Sequence, residues 1–504
     1  MHFLNGPAEL AKAEQVTVSA AKKLAAFTEL TADDKRELEL RIELVRMRAV
    51  FGQALVAYQA GKFPETMAKI APILAEARKT GAVAKANTGE SPLNTAAKRV
   101  DDFRRDRILA LAMQTRIREG AVDQIGDLLD ILKKLGGSLS NSAVVLNQML
   151  DGVRPQIDTL RKAGKTAEAD ALAQGIGKVL DKVAAEPDVK PPTLLVLGRG
   201  LRELGNYDKA VEFIKKIPPP ADVKQLKQRS GELAEADSVI VDRYRRAQLE
   251  LARAYRQDKK FADADAVLKD PLGDKTTPGW ANNNDFRREA IYLIEAKAAD
   301  ADPQVAAKLW GEARNKWSEM AQQYLVPLRK LMAAKNDTKS AFVALLDLKA
   351  LPKNDSLPTK DDEIRKGLTD PKPPAWVTEL LSEKIQGADG KLVENATAIV
   401  YIDELKNTAR RMESQVKPFY HDFLFESIRC LTKANIQLTK TNPAALPAKL
   451  AALAKQMVAL ETANPDVNDA VKTRFGDLLE EYPQLKEQYL KVGGKALLKP
   501  GPGA

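Results

Sequence analysis

Between Leu194 and Pro220 the sequence LLVLGRGLRELGNYDKAVEFIKKIPPP reads as two short helices joined at Gly205-Asn206-Tyr207 and closed by prolines. The same grammar returns in RRAQLELARAYRQDKKFADADAVLK, with Leu251, Ala252, Tyr255, Lys259, Phe261 and Ala264 in the places of Leu197, Gly198, Leu201, Gly205, Tyr207 and Ala210. A recurring two-helix unit constrains the fold more than any other feature here. One such unit cannot bury its apolar face alone, so copies must stack, and stacked units offer surfaces for binding.

The recurring residues follow a packing rule. Small residues at Gly198 or Ala252, and at Ala210 or Ala264, let two antiparallel helices approach closely, while Leu201 or Tyr255 and Tyr207 or Phe261 fill the space between them. On these residues the segments resemble tetratricopeptide repeats, whose helix-turn-helix units stack into a right-handed superhelix. Weaker copies surround Gly61, Gly120 and Gly164. The spacing departs from the family: Gly164 to Gly205 is 41 residues and Gly205 to Lys259 is 54, against a period of about 34. The tryptophan that opens many members is absent from both clear copies. The expected fold is therefore all-α, an α-solenoid of degenerate TPR-like repeats with longer helices or insertions.

The rest of the chain agrees with an all-helical reading. Aromatics are 5%, and β-branched alternating runs are scarce. Thr31 precedes an acidic first turn, a good helix start, and the helix after it carries two apolar stripes. One is Leu40, Leu44, Met47, Phe51, Ala54, Tyr58, and the other is Leu38, Ile42, Val45, Ala49, Gly52, Val56. Two adjoining stripes predict a helix covered on more than one side. The expected organisation is a helical array over 1–350, a connection rich in proline and charge over 351–375, a C-terminal helical region over 376–492 and a disordered tail over 493–504. A loop is expected over 269–285, where Pro, Gly and Asn cluster.

Catalysis has little to stand on, and the expectation is a non-enzyme without cofactor or metal. The chain holds His2 and His421 as its only histidines and Cys430 as its only cysteine. Nine residues on a helix put His421 and Cys430 on opposite faces, so they form no dyad. Asp101-Asp102 and Asp361-Asp362 are adjacent and diverge on a helix, as solvated charges or caps do. The glycines of LGRGLRELG lack the preceding strand that a dinucleotide loop requires. Asn336, Asn354 and Asn395 match a glycosylation acceptor pattern, which matters only in a eukaryotic secretory setting. No stretch reaches the roughly 18 apolar residues of a membrane span, and the start MHFLNGPAELAKAEQV lacks the pattern of a leader. A cytoplasmic location is expected, or an exported or anchored one if a leader has been removed.

The charge pattern points to the partner. The chain has a formal net charge of +10 and a pI near 9.2, which favours anionic partners in general. In tetratricopeptide repeats the first helix of each unit lines the inner wall that holds peptides. The resemblance places Arg199 and Arg202 there in one unit and Arg246, Arg253 and Arg256 in the next, with Arg154, Arg161 and Lys162 in the weaker unit before Gly164. Stacked units would align these eight side chains in one basic strip suited to carboxylates or phosphates. The competing reading pairs them with Glu203, Glu250 or Asp258 on their own helices. The expected function is a scaffold binding an acidic or carboxylate-bearing protein segment, or assembling in a larger complex. Alternatives are a helical-repeat protein that binds RNA or other nucleic acid, and a helical-array enzyme with unidentified carboxylates. Oligomeric state has no signature.

Overall fold

Turn chemistry shapes this chain. In the computed structural model, which describes residues 7–84, 91–121, 124–135, 143–222, 225, 233–269, 283–440 and 442–497, the chain is all-helical apart from one small hairpin. Gly61, Gly120, Gly164, Gly205 and Lys259 all adopt left-handed backbone, with φ between 60° and 83°. At each of them the left-handed residue's N–H bonds the carbonyl three back, and the next N–H bonds the carbonyl five back. Gly205 thus donates to Arg202 and Asn206 to Leu201, while Lys259 donates to Arg256 and Lys260 to Tyr255. This is the paired Schellman bond pattern that closes a helix. At Gly61, Gly164, Gly205 and Lys259 the next helix starts two residues after the left-handed position, so three residues reverse the chain.

The first compact unit spans Met1–Glu289. Its helices are α1 Pro7–Ala26, α2 Ala32–Gln59, α3 Phe63–Thr80, α4 Pro92–Phe103, α5 Ala110–Arg118, α6 Ile125–Lys134, α7 Ala143–Lys162, α8 Thr166–Ala184, α9 Pro191–Glu203, α10 Tyr207–Lys215, α11 Glu235–Gln257 and α12 Phe261–Lys269. A π-helical turn, Arg104–Leu109, makes α4 and α5 continuous. The hairpins α2/α3, α7/α8, α9/α10 and α11/α12 each share the three-residue link. Five residues after the left-handed position of each of these hairpins comes a fully buried small side chain: Thr66, Ala169, Ala210 and Ala264, all at 0% exposure. Neighbouring hairpins then pack in chain order, α7 and α8 on α9, and α9 and α10 on α11.

Gly198 and Gly200 on α9 explain how both contacts fit. A Cβ at Gly198 would lie 2.3 Å from Cγ1 of Ile214, within its own hairpin. A Cβ at Gly200 would lie 2.7 Å from Leu150 of α7 and 3.0 Å from Leu180 of α8, in the preceding hairpin. The absent side chains therefore serve two interfaces. The stripes of α2 divide differently from expectation. Leu40, Leu44, Met47 and Ala54 are buried, but in the second stripe Leu38, Val45 and Val56 stay exposed while Ala49 is buried. Helix α1 packs on α2, and its Leu10 meets the Cβ position of Gly52 at 3.0 Å.

The second unit spans Ala290–Ala504, so the division falls ahead of the proline-rich segment rather than within 351–375. Helix α13 runs Asn284–Asp300 across that division. The long helices α14 Pro303–Ala333 and α18 Ala396–Thr439 pack along each other around Trp317, Met320, Phe423 and Cys430. A second cluster joins α15 Thr338–Asp347, α16 Asp361–Thr369 and α17 Ala375–Leu381 to α18 through Phe342, Leu345, Ile364, Trp376 and Leu405. The connection expected over 351–375 thus contains a packed helix, because Ile364 and Leu368 supply an apolar face. Strands β1 Lys384–Gln386 and β2 Leu392–Glu394 form the hairpin.

Helices α19 Leu446–Ala463, α20 Asp469–Glu481 and α21 Pro483–Lys491 close the chain over Phe425, Met457, Phe475 and Tyr489. The first part of the expected disordered tail is tied down: Leu497 is buried, and the Lys495 and Ala496 N–H groups donate to Glu461. Residues 498–504, like most of the loop expected over 269–285, lie outside the described residues.

Candidate functional site

The basic residues singled out in the sequence occupy α7, α9 and α11, the first helices of three consecutive hairpins. Carboxylates are interleaved with them. Arg199 donates through Nε to Glu203 at 3.1 Å and through Nη2 to Asp151 of α7 at 3.4 Å. Arg154 of α7 reaches the same Glu203 at 3.5 Å. Arg202 donates through Nε to Glu250 of α11 at 2.7 Å, through Nη1 to Gln257 at 3.1 Å and through Nη2 to Glu203 at 3.3 Å. Arg253 donates to Glu250 at 2.6 Å and to Glu289 of α13 at 3.4 Å, and Arg256 also pairs with Glu289.

These contacts form a ladder from one first helix to the next. Its carboxylates are well covered, the side chains of Glu203, Glu250 and Glu289 being 12%, 10% and 2% exposed. Arg202 is buried, so it is a joint between hairpins and presents nothing to a partner. Burial alone would lower the pKa of Arg253 and Arg199. The carboxylates around them, Glu250 and Glu289 for Arg253 and Glu203 for Arg199, instead hold both above the ordinary arginine value. The own-helix pairing considered from the sequence holds for Arg199 with Glu203 and Arg253 with Glu250. Asp258 pairs with Lys260 instead.

The second helices carry their own links. Arg78 of α3 pairs with Asp127 of α6, Lys182 of α8 with Asp130 of α6, Lys209 of α10 with Asp181 of α8, and Lys260 with Asp208 of α10. These pairs are largely exposed, and each contributes little by itself. Two tracks therefore run along consecutive hairpins, a covered Arg–Glu track on the first helices and an exposed track on the second.

Four of the eight predicted cations keep their charge toward solvent. Arg154 and Arg161 have half or more of their side chains exposed, Arg161 with Asp170 at 3.6 Å as its partner. Lys162 and Arg246 are exposed and form no ion pair among the described residues. The structure thus separates the strip into a structural half, Arg199, Arg202, Arg253 and Arg256, and an outward half, Arg154, Arg161, Lys162 and Arg246.

The residues weighed for chemistry find structural partners. Cys430 is buried and donates to Glu295 at 3.2 Å, and burial with that carboxylate pushes its thiol pKa up. Glu295 also accepts from Trp317 Nε1 at 2.8 Å and from Arg429 at 2.5 Å. His421 is buried on the opposite face of the same helix, facing Asp466, Asn464 and Lys417, and burial lowers its pKa. Asp101, expected as a solvated charge or cap, is instead buried and accepts the Val83 and Ala84 N–H groups. Asn395, one of the glycosylation matches, is buried as the N-cap of α18 and donates to the carbonyls of Thr378 and Glu379.

Among the described residues no helix is long and apolar enough to cross a membrane, and no cluster of His, Cys, Asp and Glu is arranged to hold a metal ion. No family model matches the sequence, and it matches neither a curated protein nor a solved structure.

Proposed function

We propose that this chain is a non-enzymatic scaffold whose N-terminal hairpins form a TPR-like α-solenoid and whose outward cations take an acidic segment of a partner protein. The observation that carries the reading is the recurrence of one turn, one buried small residue and one inter-hairpin pairing rule through successive units. A structure built by stacking identical joints has neighbour-to-neighbour interfaces and a continuous face along its first helices. On that face the covered ladder fixes the hairpins, and Arg154, Arg161, Lys162 and Arg246 supply uncompensated or weakly compensated positive charge.

The test is fluorescence anisotropy with two labelled probes of equal charge, a Glu/Asp-rich peptide and a single-stranded RNA. The expected result is peptide binding that weakens in a variant with Arg154, Arg161, Lys162 and Arg246 replaced by Glu, while far-UV circular dichroism is unchanged. RNA binding with a steep decline in salt and no peptide binding would transfer the reading to nucleic acid. Equal binding by wild type and variant would remove these residues from the site.

A further inference from the structure

Arg104 opens the π-helical turn between α4 and α5 and is 2% exposed. Its Nη2 reaches one Glu76 oxygen at 3.4 Å, while its Nε and Nη1 groups have no acceptor among the described residues. Buried arginine donors without partners are costly and rare, and π turns recur where a fold has been adjusted for a site. The same Arg104 forms part of the wall of a cleft of about 400 Å³, with Arg36, Glu39, Glu43, Glu76 and Thr80 around it. That volume is in the range of small-ligand sites.

The charges define what fits. Glu43 is held by Arg46 through two bonds of 2.8 and 2.9 Å, so it is already neutralised. Glu76 is shared by Arg46 at 3.9 Å and Arg104, both at long range. Arg36 and Glu39 pair with each other at the exposed rim, 53% and 43% exposed, and such a pair opens readily. The cleft therefore offers one undercompensated buried cation and one exchangeable carboxylate. A multiply charged anion would meet Glu39 and Glu76 beside Arg104, whereas a ligand with one negative and one positive group satisfies both needs.

We propose that this cleft binds a small amino-carboxylate, its carboxylate on the Arg104 guanidinium and its ammonium on Glu39. Arg104 Nε and Nη1 are buried in the cleft wall, so binding turns the guanidinium to bring these donors to the ligand at the expense of a single long contact to Glu76. The site stands independently of the scaffold reading, since none of its residues belongs to the ladder.

Isothermal titration of the full chain with β-alanine, acetate and inorganic phosphate tests it. β-Alanine is expected to bind at one site, and acetate about fivefold more weakly for want of the ammonium contact. Phosphate is expected to bind no better than acetate. Arg104→Met should abolish binding of both carboxylates. Glu39→Gln, on the exposed rim where folding is not at stake, should bring β-alanine down to the acetate level and leave acetate unchanged. Absence of any titration would overturn the proposal, as would tightest binding by phosphate, wild-type binding by Arg104→Met, or an unchanged β-alanine to acetate ratio in Glu39→Gln.

Discussion

Replacing Glu250 with alanine tests whether the Arg–Glu ladder holds hairpins together. Glu250 accepts from Arg202 at 2.7 Å and from Arg253 at 2.6 Å, and its side chain and that of Arg202 are each 10% exposed. Breaking a buried pair by removing one partner typically costs about 3–5 kcal/mol, because the other charge stays uncompensated. Here Arg202 keeps Gln257 and Glu203, and Arg253 keeps Glu289 and partial access to water. The expected loss is accordingly about 2–3 kcal/mol, below the usual range. In urea, with a slope of about 1–3 kcal/mol per molar, the transition that reports the first unit should move down by about 1 M or more. Removing both charges, with Arg202→Met and Glu250→Leu together, should recover most of the loss. The shift should also persist in high salt, since covered pairs are weakly screened. A loss under about 0.5 kcal/mol in the single variant, or one erased by salt, would make the ladder an ordinary solvated surface pairing.

Four further outcomes follow from the same geometry. Gly205→Ala should destabilise by about 1–2 kcal/mol through backbone strain alone, since φ is +83° and nothing lies within 4 Å of the added Cβ; Gly205→Pro should disrupt the turn outright, and unchanged thermal unfolding of either would refute the turn's role. Gly198→Ala should destabilise by about 1–3 kcal/mol by overpacking against Ile214, and its cost should shrink in an Ile214→Ala background, which removes the Cγ1 and Cδ1 atoms the new Cβ would meet; an unchanged cost there would place the clash elsewhere. Cys430 should resist alkylation in the folded protein and react on unfolding, because burial beside Glu295 disfavours its thiolate; reaction at the rate of a free thiol in native buffer would contradict its placement. His421 has a pKa below the ordinary 6.5, so the unfolded chain binds its proton first and stability should fall as pH drops below about 6.5; His421→Gln should flatten that part of the urea-midpoint profile, and an unaltered profile would assign the slope to other groups.

What the sequence made legible was local. Gly61, Gly120, Gly164, Gly205 and even Lys259 are identifiable as hinge points because a helix stop is written in a few adjacent residues, and all five are left-handed in the structure. The segment 351–375 misled because its prolines and charges flank a short amphipathic helix whose Ile364 and Leu368 join a core cluster with Phe342, Leu345, Trp376 and Leu405, all distant in sequence or in other helices. The basic strip was legible as a set of positions on first helices. Its neutralisation was not, because Arg253 meets Glu289 across 36 residues of sequence and Arg202 meets Glu250 across 48. Arg104 gave no signal at all. A buried guanidinium and an exposed one look alike in sequence, and only the packing around the π turn tells them apart.

The three-residue link between helices also sets an order of events in time. Every bond that closes a hairpin joins residues three to five positions apart, so closure needs little loop entropy and proceeds with the helices themselves. The Arg202–Glu250 joint must wait until two finished hairpins meet. Interactions that form this late lie on the native side of the folding barrier, where they slow unfolding and leave the folding rate almost untouched. The covered ladder is then a brake on the opening of one hairpin from the next, and the lifetime of the assembled array, more than the speed of its assembly, is what Glu203, Glu250 and Glu289 control.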